Sequence, residues 1–211
     1  MDHDFTKLAP EDRYRLLTNF IGPRPVALVT TQDAEGRRNA APMSFFNVFG
    51  HDPAILALGI QPRLDGRMKD TVANIRRSGE FVVHVVDKDL VDAMLITGLG
   101  VEPEVDEFDL ADLESLPATQ IKAPRIKGAA CAMECRVERI IDWPKRAMIL
   151  GEVIHMHIRP DCLDAEGRYV DPSIYQPIAR LHADNYVTSD NQHVWPAARL
   201  EDVLAAKKAK E

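Results

Sequence analysis

The sequence predicts a mainly β fold with short helices, of the α+β class, forming one compact barrel domain over residues 1–211. Short apolar, β-branched runs alternate with clusters of Gly, Pro, Asp and Asn, a pattern typical of strands joined by tight turns. Helical patterns are few and brief, and there is no internal repeat. A chain of 211 residues suits a single domain with a sizeable core.

Four strands are predicted in the first half of the chain. The apolar run 25–31 stops at the turn-forming cluster 32–36, so we expect a hairpin whose return strand carries residues 39–46. The continuous apolar run 54–60 predicts a buried strand, and residues 80–86 are rich in β-branched side chains.

Three helices are predicted from start and stop signals. Asp70 is expected to cap a helix through residues 71–78 that ends at Gly79. Residues 89–97 predict a second short helix, and residues 200–210 predict a final helix with lysines near its end.

The second half of the chain predicts a long hairpin after an exposed acidic excursion at residues 98–124. Residues 132–138 alternate strictly, and residues 148–158 form the partner strand. Residues 159–186 are predicted to be an irregular C-terminal extension. In the alternating strand, Met133, Cys135 and Val137 face one way and Glu134, Arg136 and Glu138 face the other.

Composition excludes several classes of function. A net charge of −7 argues against an extended nucleic-acid footprint, and no apolar run reaches the roughly 18 residues of a membrane span. The N-terminus lacks a secretory pattern, so we expect a cytoplasmic protein. Three cysteines without a CxxC pair predict neither a disulfide framework nor a zinc site.

Two neighbouring segments carry the strongest chemical signal. Ala40, Ala41 and Pro42 have small side chains, so the backbone there can lie against a planar ring, and Ser44 adds a hydroxyl. About twenty residues later, Lys69 offers a cation near a helix start, where anions bind readily. The pair predicts a site for a flat, phosphorylated cofactor, and we interpret it as a flavin site. Neither a G-x-G-x-x-G nor a G-x-S-x-G motif is present.

The histidines carry weaker signals. His155 and His157 point to one face of a strand, as a metal pair requires, but the sequence shows no third ligand, so no metal site is predicted. His182 and His193 could line a nicotinamide pocket, although a lone histidine in a loop is more often at the surface. The roles of these four histidines stay open.

Taken in order along the chain, these motifs resemble the flavin reductase-like, FMN-binding split-barrel family. The resemblance is strongest over about sixty contiguous residues and extends loosely to Gly151-Glu-Val153, Ala179-Arg-Leu181 and Tyr186. The segments that carry it are Arg24-Pro-Val-Ala-Leu-Val-Thr-Thr31, Gly36, Asn39-Ala-Ala-Pro-Met-Ser-Phe-Phe46, Asp52-Pro53, Lys69-Asp-Thr71, Asn74 and Gly79-Glu-Phe-Val-Val83.

This resemblance implies a split barrel of antiparallel strands, a homodimer, and FMN bound near the subunit interface. It implies that Arg180 and Tyr186 reach the flavin of the partner subunit, and it assigns no catalytic side chain. The residues implied at the isoalloxazine ring are Asn39, Ala40, Ala41, Pro42, Met43, Ser44 and Phe45. Those implied at the phosphate are Arg67, Lys69, Asp70 and Thr71.

The function that we predict is an FMN-dependent NAD(P)H:flavin oxidoreductase, which takes hydride from NADH or NADPH. Its acceptor is free flavin, a partner oxygenase or another compound, and nucleic acid and membrane are not expected partners. One alternative is an FMN-binding electron carrier or sensor without nicotinamide turnover. Another is a related split-barrel protein that binds haem, pyridoxal phosphate or a different cofactor.

Overall fold

The computed structural model describes residues 1–63, 65–144 and 146–200. Within these residues four α-helices and twelve strands follow one another, with single 3-10 turns at Lys88–Leu90 and Pro160–Cys162. In chain order the elements are α1 (Pro10–Phe20), β1 (Arg24–Pro25), β2 (Ala27–Gln32), β3 (Arg38–Met43), β4 (Phe46–His51), β5 (Ala54–Ile60), α2 (Asp70–Ser78), β6 (Glu80–Val85), α3 (Val91–Thr97), α4 (Glu107–Leu110), β7 (Ser115–Leu116), β8 (Arg125–Ile126), β9 (Cys131–Trp143), β10 (Arg146–Ile158), β11 (Ile178–Arg180) and β12 (Tyr186–Thr188).

A seven-stranded antiparallel sheet forms the barrel, in the order β3-β2-β6-β9-β10-β5-β4. The chain bends at Ser44 and Phe45 between β3 and β4. At this bend the Gly59 amide of β5 donates a hydrogen bond of 2.7 Å to the Phe45 carbonyl. The two ends of the sheet therefore meet, and β4 is left as an edge strand. A smaller sheet, β1-β11-β12, lies beside it.

Two apolar clusters cover opposite faces of β2 and β3. Val29 and Ala41 belong to the cluster inside the barrel, with Leu58, Phe81 and Ile149. On the other face, Leu28 and Ala40 pack in a cluster with Val86, Met94 and Phe108. Burial on both faces explains why the run at residues 25–31 is continuously apolar rather than alternating.

The strands predicted at residues 25–31, 54–60 and 80–86 are confirmed as β2, β5 and β6. The strand predicted over 39–46 is β3 only as far as Met43, because the chain bends at residues 44 and 45 and Phe46 begins β4, which was not predicted. Helix α2 stops before Gly79, its C-cap, which adopts a left-handed φ of 70°. The predicted cap is wrong. Lys69, not Asp70, is the N-cap residue, and no side chain caps this helix. Asp70 is instead the first residue of the helix, and its carboxylate forms an ion pair with Arg63. The second predicted helix begins as a 3-10 turn and becomes α-helical only at Val91.

The acidic segment 98–124 is not simply an exposed excursion. Glu107 and Phe108 of α4 are buried, and Asp106 accepts hydrogen bonds from the first amides of that helix. The Arg38 guanidinium donates to Asp106 at 2.8 Å and to Asp109 at 2.6 Å. The segment folds back on β3 because its acidic side chains meet this arginine and its phenylalanine completes a core cluster.

The hairpin of β9 and β10 is confirmed, and Cys135 of its inward face is fully buried. Arg136 and Glu138 are exposed on the other face, as predicted. The prediction for Glu134 is wrong in one respect, because its side chain is completely buried although the alternation places it on the outward face. The amides of Thr119 and Gln120 cover it, which strand periodicity could not show.

The ends of the chain differ from expectation in part. Helix α1 was not predicted, although Pro10 at its start and acidic Glu11 and Asp12 in its first turn are helix-start signals. The stretch 159–186 is mainly irregular but contributes β11. The predicted helix at residues 200–210 falls, beyond Leu200, outside the described residues. None of the described helices has the length and apolar character needed to cross a membrane.

Candidate functional site

A cavity of about 870 Å³ lies between α1, the bend at Ser44 and Phe45, and the adjoining ends of β9 and β10. This volume is within the range of small-molecule sites, roughly 300 to 1,000 Å³. Its wall combines apolar or aromatic side chains with three arginines. The apolar and aromatic side chains include Leu17, Ile21, Phe45, Phe46, Trp143 and Met148, and the arginines are Arg13, Arg24 and Arg146.

Ser44 presents an open hydrogen-bonding group to this cavity. Its side chain is half-buried, and its hydroxyl forms no hydrogen bond with any residue that the structure describes. The following Phe45 is held in place, because its carbonyl accepts from Gly59 and its ring lies 6.2 Å from the Tyr14 ring. The bend therefore offers a fixed hydroxyl beside an aromatic surface.

Arg24 is a buried cation on the same wall. Its guanidinium donates to three carbonyls: Thr18 at 3.1 Å, Ile21 at 2.5 Å and Leu181 at 2.6 Å. Its Nε is buried without a hydrogen-bond partner among the described residues. Burial lowers the pKa of Arg24 below its ordinary value, and nearby Arg180 lowers it further. The three carbonyls therefore fix the guanidinium on the cavity wall.

The four predicted phosphate residues differ in what they can still bind. Arg67 is exposed and already pairs with Asp65 at 2.6 Å and with Glu102 at 3.5 Å. Asp70 pairs with Arg63, and its own charge would repel a phosphate. These two side chains are therefore poorly placed as anion donors.

Thr71 and Lys69 retain donor capacity. Thr71 is fully buried, and its hydroxyl accepts a hydrogen bond of 3.1 Å from the Asn39 side chain, which leaves its own proton to donate. The half-buried Lys69 ammonium has no hydrogen bond or ion pair with the described residues. Burial lowers the pKa of Lys69 and so does Arg63, whereas Glu107 opposes the shift.

Glu107 is the buried acid of this region, and the sequence analysis did not single it out. Its carboxylate accepts a long hydrogen bond of 3.4 Å from the Ala40 amide. Burial raises the pKa of Glu107 to about 7, and the neighbouring carboxylates of Asp70 and Asp106 add to the effect. Its acidic surroundings in the sequence concealed it, because only the fold of α4 turns this one side chain inward.

The residues predicted for the flavin do not line one cavity within this chain. Ser44 and Phe45 line the large cavity, whereas Asn39 and Asp70 line a second one of about 280 Å³. The other seven line neither cavity: Ala40, Ala41, Met43 and Thr71 are buried, Pro42 and Lys69 are half-buried, and Arg67 is exposed. Contact between a ring and the alanines would therefore fall on backbone atoms, and these assignments stay predictions.

The histidines and the C-terminal residues are placed as follows. His182 and His193 are exposed, and the His193 ring stacks on Trp195 at 5.3 Å. Arg180 lies 5.7 Å from the Tyr186 ring centroid and donates to the Ala183 carbonyl. None of these side chains lines either cavity described above.

Similarity to known proteins extends over most of the chain. Residues 22–177 match the family described as flavin reductase like domain. The fold is similar to that of 2-nitrobenzoate 2-nitroreductase NbaA of Pseudomonas fluorescens, with a TM-score of 0.86 and 32% identity, covering 95% of this chain and 98% of that one.

Two further solved structures share the fold. Nitrilotriacetate monooxygenase component B of Bacillus cereus has a TM-score of 0.86 and 33% identity, and the match covers 92% of this chain and 98% of that one. A split barrel domain protein of Shewanella frigidimarina has a TM-score of 0.79 and 19% identity, covering 94% of this chain and 100% of that one. The predicted split-barrel fold is confirmed.

Proposed function

The chain belongs to the flavin reductase like family, and from this premise we propose that it is an FMN-dependent oxidoreductase using NADH or NADPH. The observation that carries the proposal is the large cavity beside the Ser44–Phe45 bend, which has the volume of a ligand site and, on its wall, a Ser44 hydroxyl without a partner among the described residues. Redox chemistry belongs to the cofactor, so the protein needs to bind, orient and shield it.

The donors of this chain suit a flavin. The Ser44 hydroxyl can bind a polar atom of the ring, since Ser44 lies on the wall of the large cavity and its hydroxyl has no partner among the described residues. The Lys69 ammonium suits the phosphate because it is a cation without a partner. Asn39 and Met43 are four residues apart on β3, about 13 Å along the strand, and Ser44 follows at the bend, so only an elongated ligand could reach both Asn39 and Ser44.

Bound FMN would supply two-electron chemistry, in which NAD(P)H and one proton give NAD(P)⁺ and FMNH₂, and FMNH₂ then reduces an acceptor. Arg13, Arg24 and Arg146 line the cavity and suit negative charge, whether on reduced flavin or on the nicotinamide nucleotide. No acid, base or nucleophile is required from the protein for this transfer.

The relatives suggest two classes of acceptor. A nitroreductase acting on 2-nitrobenzoate and a component of a monooxygenase are each about one third identical to this chain over nearly its whole length. We propose that reduced flavin serves an aromatic acceptor or a partner oxygenase. The cytoplasmic location stays a prediction.

A homodimer is the second part of the proposal. Phe20 of α1 is 84% exposed, and Val48 and Phe49 of edge strand β4 are 66% and 75% exposed. Large apolar side chains grouped beside a ligand cavity favour a protein interface. Pairing across this surface would cover the open side of the cavity, because the edge strand and α1 both border it.

The test is to record the absorbance spectrum of the protein, load it with FMN, and mix it anaerobically with NADH and with NADPH. Rapid loss of the flavin absorbance after mixing with NADH or NADPH supports the oxidoreductase. A flavin that binds but keeps its colour with both nucleotides makes the protein an electron carrier or sensor. A spectrum of haem or pyridoxal phosphate, or no flavin binding, overturns the proposal.

A Ser44→Ala variant tests the site itself, with Ser78→Ala as the matched control because Ser78 is exposed on α2. We expect Ser44→Ala to weaken FMN binding and to change the flavin spectrum, since a hydroxyl beside the ring is lost. Ser78→Ala should leave both unchanged. Equal effects of the two substitutions on FMN binding would show that Ser44 is not part of the flavin site.

A further inference from the structure

Three side chains with metal-binding groups meet on the outer face of the β9–β10 hairpin. Glu134 of β9 lies directly opposite His155 of β10 in the strand register, and His157 is two residues further on the same face. The nearest ligand atoms of the three side chains all lie within 4.8 Å of one another. The pairing of the strands thus brings a carboxylate to the two histidines, a third ligand that the sequence alone did not reveal.

The Glu134 carboxylate is buried and held in one orientation. It accepts hydrogen bonds of 2.7 Å from the amides of both Thr119 and Gln120, and its Oε1 lies 2.6 Å from Nε2 of His157. Although burial raises its pKa, the hydrogen bonds from these groups outweigh burial and lower the pKa overall. The carboxylate is therefore fixed by its neighbours, as metal-binding carboxylates generally are.

His155 has ligand capacity that nothing in the described chain uses. Its ring nitrogens form no hydrogen bond with the described residues, and its ring lies against the His157 ring, with centroids 4.6 Å apart. Both histidines are half-buried, so solvent can reach them. No lysine or arginine pairs with Glu134 among the described residues, since its ion pair is with His157.

We propose that Glu134, His155 and His157 bind a divalent transition metal of the zinc class. Two imidazoles and one carboxylate are a recurrent ligand set for such metals, and they leave a coordination position for water. Zinc–ligand distances of about 2.1 Å place tetrahedral ligands about 3.4 Å apart. The ligand atoms now lie within 4.8 Å of one another, and rotation of the half-buried imidazoles brings them to this spacing. The metal then replaces the direct contact between His157 and Glu134.

The metal site is separate from the flavin site. None of its three residues lines either cavity, and none belongs to the residues predicted to bind FMN. Because Glu134 also holds the amides of Thr119 and Gln120, the metal would join β9 and β10 to that segment and stabilise the folded chain. The inference therefore does not depend on the proposed function.

Calorimetric titration of the metal-free full chain with Zn²⁺ tests the proposal. We expect one saturable site, an increase in melting temperature with Zn²⁺, and affinity at least tenfold weaker in His155→Ala. His193→Ala is the matched control, because His193 is exposed and its ring contact is with Trp195. NMR of the histidine rings should show that Zn²⁺ shifts the signals of His155 and His157 first.

Glu134→Gln and His157→Ala test the other two ligands. Where either variant fails to fold, the NMR readout replaces it, because NMR uses the unmodified protein. Absence of a saturable site overturns the proposal. So does equal zinc affinity in His155→Ala and the unmodified chain, or a loss in His193→Ala as large as that in His155→Ala. Ring signals that shift at other histidines but not at these two would also refute it.

Discussion

The side-chain amide of Asn39 donates a hydrogen bond of 3.1 Å to the hydroxyl of Thr71, and both residues are buried. The bond joins β3 to the first turn of α2, so it connects the two segments in which the flavin residues were predicted. A second bond of 3.1 Å, from the Asn74 amide to the Thr31 hydroxyl, holds the same helix against β2. The position of α2, and with it of Lys69, is therefore set by two buried amide–hydroxyl pairs.

Replacing Thr71 tests this connection. Thr71→Val keeps the shape but removes the acceptor, so the Asn39 amide is left buried and unsatisfied. We expect a loss of about 1 to 3 kcal/mol in the free energy of unfolding, measured by urea denaturation of flavin-free protein. Thr71→Ser, which retains the hydroxyl, should lose much less. Equal stability of the valine and serine variants would show that the hydrogen bond does not stabilise the fold.

Replacing Lys69 tests the phosphate assignment. Lys69→Ala should weaken FMN binding by about 1.5 to 3 kcal/mol, roughly 10- to 150-fold in Kd, because a charge-assisted contact is lost. Fluorescence titration with FMN measures the effect, and riboflavin, which has no phosphate, should bind both proteins equally.

Lys122→Ala is the matched control for that experiment, because Lys122 is exposed and its side chain forms no hydrogen bond or ion pair with the described residues. Its FMN affinity should not change. An unaltered Kd for FMN in Lys69→Ala would show that the phosphate binds elsewhere. An equal loss of riboflavin affinity would indicate a damaged fold instead.

The raised pKa of Glu107 predicts that the free energy of unfolding depends on pH. Burial raises its pKa from the ordinary value of 4.5 to about 7, so the folded chain holds this proton more tightly than the unfolded chain. Its stabilising effect is complete below pH 4.5 and is lost as the pH rises through about 7, up to about 3 kcal/mol in all.

Urea denaturation at pH 5 and pH 8 measures this effect. We expect Glu107→Gln to lose less stability than the unmodified chain over that interval, because glutamine does not ionise and can still accept from the Ala40 amide. Glu104→Gln, at an exposed position, should behave like the unmodified chain. A Glu107→Gln variant with the same pH dependence would show that this acid is ionised without cost.

Gly151 lies where β10 shifts its register against β9, and the ring of Phe81 approaches it closely. A Cβ at this position would overlap the Phe81 Cζ atom and lie 2.9 Å from its Cε1 atom. Gly151→Ala should therefore lower the free energy of unfolding by about 1 to 3 kcal/mol through overpacking. Gly100→Ala is the control, since a Cβ there meets nothing within 4 Å. Equal stability of the two variants would mean that the core adjusts freely around Phe81.

The exposed apolar side chains of α1 and β4, two elements that border the cavity, predict an oligomer. Light scattering should give a mass near twice 23.6 kDa, and Phe49→Asp should shift the protein towards monomers because a charge on the edge strand opposes apolar contact. Tyr169→Asp, also at an exposed aromatic position, should not. A monomer at all concentrations would contradict the proposed homodimer.

The sequence by itself determined most of the barrel strands, α2 and the family, because these depend on local patterns, but not β4, which follows the bend at residues 44 and 45. The period of two along 132–138 and the stop at Gly79 specify secondary structure wherever the chain folds. The order of motifs from Arg24 to Val83 was likewise sufficient for the family resemblance.

Tertiary structure decided which polar side chains are buried, and therefore which of them have unusual chemistry. Glu107 and Glu134 look like their exposed neighbours in the sequence, yet one packs beneath β3 and the other beneath Thr119 and Gln120. Periodicity predicts the face of an element but not what covers that face, because covering depends on contacts between residues distant in the chain. The same reason explains why strand pairing, and not the His155-x-His157 spacing, supplied the third metal ligand.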